Sequence, residues 1–120
     1  MSALVLFAHG SRDPAWAAPF RAVQAKTAAA RADLEVELAF LEIMQPTLPD
    51  AVDALVARGH ESIAIAPLFM AQGAHLKRDL ARIVDDLRSR HPKVALDVLP
   101  AAGEVEAVLD AMGAWLASAV

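Results

Sequence analysis

Cysteine is absent from the 120-residue chain, so neither a disulfide framework nor a thiolate metal site is open to it. Histidine, aspartate and glutamate remain as the strong metal-binding side chains, which favours an open, exchangeable site. Also missing is any run approaching the roughly 20 uninterrupted apolar residues that cross a bilayer. Despite an apolar fraction of 57%, no integral membrane protein is expected. No basic leader precedes the apolar start from Met1 to Phe7, so that stretch reads as a strand rather than a signal peptide, and a cytoplasmic location is expected. Basic residues are outnumbered, 11 Lys and Arg against 15 Asp and Glu, for a net charge of −4 and a pI near 5.4. Nucleic acid is therefore not an expected partner, because binding it requires clustered cations to neutralise phosphates.

A chain of this length builds one domain, taken as residues 1–120. Its interior is small for so many apolar residues, and some are expected to be buried against a second copy in a homodimer.

The continuous apolar run Leu4 to Ala8, stopped by His9-Gly10-Ser11, suits a strand buried on both faces. Trp16, Phe20, Val23 and Ala30 then recur at helical spacing behind Pro14, which a first turn tolerates. Leu34 to Leu41 alternates apolar and acidic residues, as an edge strand with one wetter face does, and should end near Glu42. Leu48, Val52, Leu55 and Val56 mark a second helix, with Arg58-Gly59-His60 as its stop. Ser62 to Ala66 repeats the buried-strand signature, and Pro67 to Ala74 forms a longer connection. Leu76, Leu80, Ile83, Val84 and Leu87 give a third helix with a charged outer face, ended by His91-Pro92. Val94 to Leu99 is a fourth strand, and Val105, Val108, Leu109, Met112 and Leu116 line a last helix. The order βαβαβαβα predicts an α/β fold of the flavodoxin-like kind, a three-layer sandwich on a four-stranded parallel sheet with right-handed crossovers.

In such sheets ligands sit beyond the carboxyl ends of the strands. His9 follows strand one, Glu42 follows strand two and His75 closes the connection after strand three, so the three converge if strand one lies between the others. Two imidazoles and a carboxylate suit Co²⁺, Fe²⁺, Ni²⁺ or Zn²⁺, with positions left open for exchange. Without further context, His9 is as well read as a turn residue and His75 as a helix-start residue. Asp13 is expected to cap the first helix, and Asp79 to pair with Arg82 or orient His75. His60 and His91 sit at helix ends, where the dipole favours a cation, and are assigned structural roles. Met112 and Trp115 are expected to pack in the core or in a dimer seam.

Ala8-His9-Gly10-Ser11-Arg12-Asp13-Pro14, then Phe40-Leu41-Glu42 with Pro46 and Leu48, then Pro67-Leu68-Phe69 leading to Gly73-Ala74-His75-Leu76-Lys77-Arg78-Asp79-Leu80, resembles the CbiX/SirB sirohydrochlorin chelatases across nearly the whole chain. Gly73-Ala74 departs from the glycine pair usual before this histidine. The resemblance implies a chelatase-like fold in the short, homodimeric form, and ATP-independent insertion of Co²⁺ or Fe²⁺ into sirohydrochlorin. No cofactor is implied beyond the divalent metal substrate itself. It places the two motif histidines, His9 and His75, at the metal, and carries Glu42 over as a catalytic candidate. Insertion requires two pyrrole N–H protons to leave, and imidazole, with a reference pKa of about 6.5, can either ligate a metal or accept a proton near neutrality. Sirohydrochlorin is a polycarboxylate, so Arg12, Lys77 and Arg78 are expected to pair with its propionate and acetate groups, beside Ser11. Met70 and the apolar loop from Leu68 to Ala71 are expected to cover the macrocycle face.

A metal or tetrapyrrole carrier would use the same histidines without turnover. Phosphoryl transfer through a phosphohistidine is a weaker reading of Ala8-His9-Gly10, because the second arginine and histidine it needs form no recognisable motif. Gly10 to Pro14 is not a phosphate-binding loop either, which disfavours a nucleotide carrier.

Overall fold

The computed structural model describes residues 2–120. Four strands, β1 (Ser2–Ala8), β2 (Glu35–Phe40), β3 (Ser62–Pro67) and β4 (Ala95–Val98), form one parallel sheet in the order β2-β1-β3-β4. The helices are α1 (Ala18–Ala30), α2 (Leu48–Ala57), α3 (Ala74–Arg90) and α4 (Glu106–Ala119). β1 is central, with Phe7 opposite Ala39 on one side and Pro67 on the other, which is the condition for His9 to lie between the loops that follow β2 and β3.

Side-chain alternation divides the core in two. On one face Val5, Phe7, Ile63, Ile65 and Leu96 pack with Leu55 of α2 and Leu80, Val84 and Leu87 of α3. On the other, Leu6, Val36, Leu38 and Phe40 pack with Trp16 and Phe20. The first helix begins differently from expectation: Pro14–Ala17 is a 3₁₀ turn, and the α-helix follows it. Asp13 caps that turn, accepting from the Ala15 N–H at 3.0 Å. Thr47 caps α2, accepting from the Asp50 N–H, and Gly59 ends it at a φ of +91° that a side chain resists. The last helix departs most from expectation, because none of its residues is buried and Trp115 stands 62% exposed. Trp115 is not a core residue.

His60 and His91 owe their places to carboxylates more than to helix dipoles. His91 Nε2 lies 2.7 Å from Asp53, and the buried His60 Nε2 lies 2.8 Å from Glu35. Arg58, foremost, and His60 hold the Glu35 carboxyl down at about 2, whereas burial and the adjacent Glu35 raise that of Glu37. The folded-state value of Glu35 is depressed. Its contribution to stability is therefore complete above the ordinary glutamate value of 4.5 and is lost as pH falls toward about 2. Because His60 Nδ1 has no partner among the described residues, removing Glu35 would leave the imidazole unsatisfied there. Glu35→Ala is expected to cost about 1–3 kcal/mol at neutral pH. Urea denaturation should show that deficit narrowing as pH falls below the ordinary glutamate range; a pH-independent deficit would refute the ionic contribution.

Candidate functional site

The carboxyl ends of β1, β2 and β3 deliver the site. β1 ends at Ala8, and the His9 carbonyl accepts from the Glu42 N–H at 3.1 Å, so the loops after the two strands are zipped together. Gly10 makes that approach possible. Its φ is +100°, and a Cβ there would lie 1.9 Å from the Glu42 carbonyl oxygen. On the other side, the Leu68 N–H donates to the Phe7 carbonyl at 2.8 Å, which brings the loop after β3 beside the end of β1. Phe69 is buried, and its ring lies 4.6 Å from the His9 imidazole at a tilt of 58°. One face of the His9 ring is thereby backed while the residue stays open to solvent. Phe69 belongs to a segment the sequence singles out, but its contact with His9 could not be read there, because an aromatic in an apolar loop carries no sign of what it will touch.

His75 is the second residue of α3, behind Gly73 at the N-cap, and is exposed. Both imidazoles therefore rise from the same sheet edge, one from the central strand and one from the loop-to-helix junction after its neighbour. Glu42 shares the edge through its backbone. Its side chain is exposed and, among the described residues, no three His, Asp or Glu side chains gather closely enough to hold a metal ion. The two imidazoles and the carboxylate thus share a rim without forming one tight cluster among the described residues.

Arg12, Lys77 and Arg78 are exposed around these residues, and among the described residues the ion pairs engage other cations, Arg31, Arg58, Arg82, Arg88 and Arg90. The three cations are therefore free to meet an anionic ligand. Ser11 is committed locally, its hydroxyl accepting from the Asp13 N–H at 3.1 Å. Asp79 pairs with Arg82 at 3.3 Å, as anticipated. Met70 is 55% exposed in the loop after β3, and Ile43, at a φ of +71°, is 59% exposed in the loop after β2. They present apolar surface in the loops that follow the two strands flanking β1. Ile43 was not anticipated, since nothing in its neighbours announces a β-branched residue in the left-handed region. A groove lined by Leu80, Val84, Arg88, Asp97 and Val98 runs between α3 and the β4 edge, away from His9, and Lys77 stands at its rim.

The carboxyl edge of this parallel α/β sheet thus carries two exposed imidazoles and, among the described residues, three cations outside the ion pairs. The CbiX family profile matches residues 3–119, and the chain belongs to that family. Among curated relatives, the sirohydrochlorin cobaltochelatase of Methanococcus aeolicus is 37% identical over 84 residues, covering 70% of this chain and 59% of that protein. That of Saccharolobus islandicus is 38% identical over 86 residues, 70% of this chain and 64% of that protein. The match thus spans less than two thirds of these relatives' own length. The solved CbiX protein of Marinobacter aquaeolei VT8 shares the fold at a TM-score of 0.86 and 24% identity, over 98% of this chain and 93% of that one. The sirohydrochlorin chelatase SirB of Bacillus subtilis subspecies spizizenii, solved with cobalt, has a TM-score of 0.72 and 28% identity over 88% of this chain but 45% of its own. SirB of Bacillus subtilis with Fe³⁺ matches at 30% identity and the same TM-score, over 92% of this chain and 44% of its own.

Proposed function

We propose that the protein inserts Co²⁺ or Fe²⁺ into sirohydrochlorin without ATP, acting as a homodimer in the cytoplasm. The observation that carries this reading is the placement of His9 and His75 at one edge of adjacent strands, each inside the segment that resembles the chelatase family. Relatives named sirohydrochlorin cobaltochelatase, and SirB chains solved with cobalt and with iron, support the substrate and the metals. His9 and His75 together bind the incoming metal and take the pyrrole protons. Two weakly held imidazole ligands suit a metal that must leave, because a closed four-ligand site would retain it. As the pyrrole nitrogens replace its ligands, a released imidazole becomes the base that accepts a proton. Glu42, whose backbone N–H bonds the His9 carbonyl, is the carboxylate assigned to take charge from His9. Arg12, Lys77 and Arg78 neutralise the carboxylates of the macrocycle, while Met70 covers its apolar face.

The test is a spectroscopic insertion assay with catalytic amounts of protein, Co²⁺ or Fe²⁺, and sirohydrochlorin. Many turnovers per chain are expected, and a single stoichiometric event would instead establish a carrier. Replacing Lys77 and Arg78 together by alanine should raise KM for the tetrapyrrole about fivefold while leaving kcat within a factor of a few, as removing exposed charge pairs of about 1 kcal/mol in total predicts. An unchanged KM would remove those two residues from the binding surface.

A further inference from the structure

The imidazoles of the chain fall into two kinds. Those of His60 and His91 are each fixed by a carboxylate, from Glu35 at 2.8 Å and from Asp53 at 2.7 Å. Those of His9 and His75 are exposed and, among the described residues, make no hydrogen bond. A histidine that holds a metal ordinarily donates its second ring N–H to a carboxylate or carbonyl, which fixes the tautomer and direction of the ring and strengthens it as a ligand. His9 has no such partner here. What lies against it is the ring of Phe69, at 4.6 Å and a tilt of 58°.

That ring is itself held firmly. Phe69 is 5% exposed and meets Phe7 edge-on, with centroids 5.7 Å apart and planes at 78°. Phe7 and His9 are two residues apart at the end of β1, so strand alternation sends both to the face that α2 and α3 cover, and Phe69 touches both. α3 opens with His75 as its second residue and packs on this same face. The backbone of Phe69 is anchored on either side. Just before it the Leu68 N–H reaches the Phe7 carbonyl at 2.8 Å, and the Phe69 carbonyl accepts from the Gly103 N–H at 2.9 Å. Gly103 packs so closely that a Cβ there would collide with the Met70 carbonyl, and Glu104 ties the same loop again by accepting from the Gln72 amide at 3.4 Å. A ring stapled in this way does not follow the imidazole; the imidazole conforms to the ring.

We propose that Phe69 is the positioning residue of His9: its stapled ring holds the imidazole in one rotamer through aromatic contact and leaves both ring nitrogens free. What those nitrogens then do rests on the function proposed above. A group that first binds a metal and then accepts a pyrrole proton is served by nitrogens that no fixed partner occupies, and an imidazole without a bonded carboxylate is a weaker ligand, from which the metal departs readily. Rotamer counting sets the size of the effect. A histidine ring set free has about six wells, three about χ1 and two about χ2, so releasing it from Phe69 lowers the productive fraction by at most about sixfold. Loss of a hydrogen-bonded orienting partner costs more, about 10–100-fold in metal affinity.

Phe69→Leu supplies the test, because leucine keeps an apolar side chain under the loop and removes the flat surface. Three-bond couplings about χ1 of His9, measured by NMR without metal, should report a single rotamer in the wild type and averaging in the variant. Co²⁺ titration followed by visible absorption, at a temperature where both chains are fully folded, should show the dissociation constant rising about three- to sixfold. In a His9→Ala background the same Phe69→Leu change should leave the Co²⁺ constant unmoved, since no ring remains to position. A merely structural role for Phe69 predicts equal losses in the two backgrounds. That result would overturn the proposal, as would an averaged His9 in the wild type or an unchanged Co²⁺ constant in Phe69→Leu. In the insertion assay KM for Co²⁺ should rise by the same factor while KM for the tetrapyrrole holds. If the couplings and the Co²⁺ constants behave as expected but no metal is inserted, the positioning stands and the proposed chelation falls.

Discussion

Gly10→Ala is expected to destabilise the protein by about 2–5 kcal/mol, combining about 1–2 kcal/mol for a side chain in the left-handed region with about 1–3 for overpacking. The methyl group would meet the Glu42 carbonyl oxygen at 1.9 Å, and that oxygen belongs to backbone that cannot swing aside. Relief requires the β1 and β2 loops to part, which breaks the bond from the Glu42 N–H to the His9 carbonyl. Gly59 supplies the control. Its φ of +91° is similar but nothing lies within 4 Å of its would-be Cβ, so Gly59→Ala should cost only the conformational part, about 1–2 kcal/mol. Urea midpoints of the two variants measure the difference. Equal losses would mean that the loops yield freely and that Gly10 serves only its own dihedral angle. Against a total stability of about 5–15 kcal/mol, the larger loss leaves a visibly weakened protein.

His9→Ala and His75→Ala are each expected to lower kcat for metal insertion about 10²–10⁴-fold, the range that a positioned proton acceptor contributes. In activation free energy that is about 3–5 kcal/mol. Stability should barely change in either variant, since both side chains are exposed. His9 does lie against the Phe69 ring, so a small loss of about 0.5–1 kcal/mol is anticipated there and none at His75. The double variant should lose little beyond the worse single one if the imidazoles act as a unit, because groups that share a step are not additive. Multiplicative losses would instead assign them separate tasks, while near-normal rates in both single variants would remove them from the reaction.

Much of this architecture was legible in the residue order. The continuous apolar runs at Leu4 to Ala8 and Ser62 to Ala66 and the alternation at Leu34 to Leu38 located the strands and, correctly, the edge. Topology then put His9, Glu42 and His75 at one rim, which no local spacing could have done. Two kinds of feature escaped. The first is contact between loops: Phe69 behind His9, Ile43 in the left-handed region and Gly103 against Met70 depend on how remote segments meet in space. The second is destination. The α4 pattern announces an apolar stripe but says nothing about which surface receives it; of the two places expected for Met112 and Trp115, the core or a dimer seam, the core of this chain holds neither. Glu42 belongs between these cases, since its position was readable and its side chain joins no ligand cluster among the described residues.

The rims of the sheet carry a consequence for how the protein behaves when crowded. Outermost on one side, β2 bears Glu35 and Glu37, charged groups held in place by Arg58; on the other, β4 is only four residues long and is followed within two residues by Pro100. Like charges repel a second β2, and a short strand near a proline offers few free backbone groups to zip against. Runaway strand-upon-strand stacking into fibrils is thereby discouraged at both borders of the sheet.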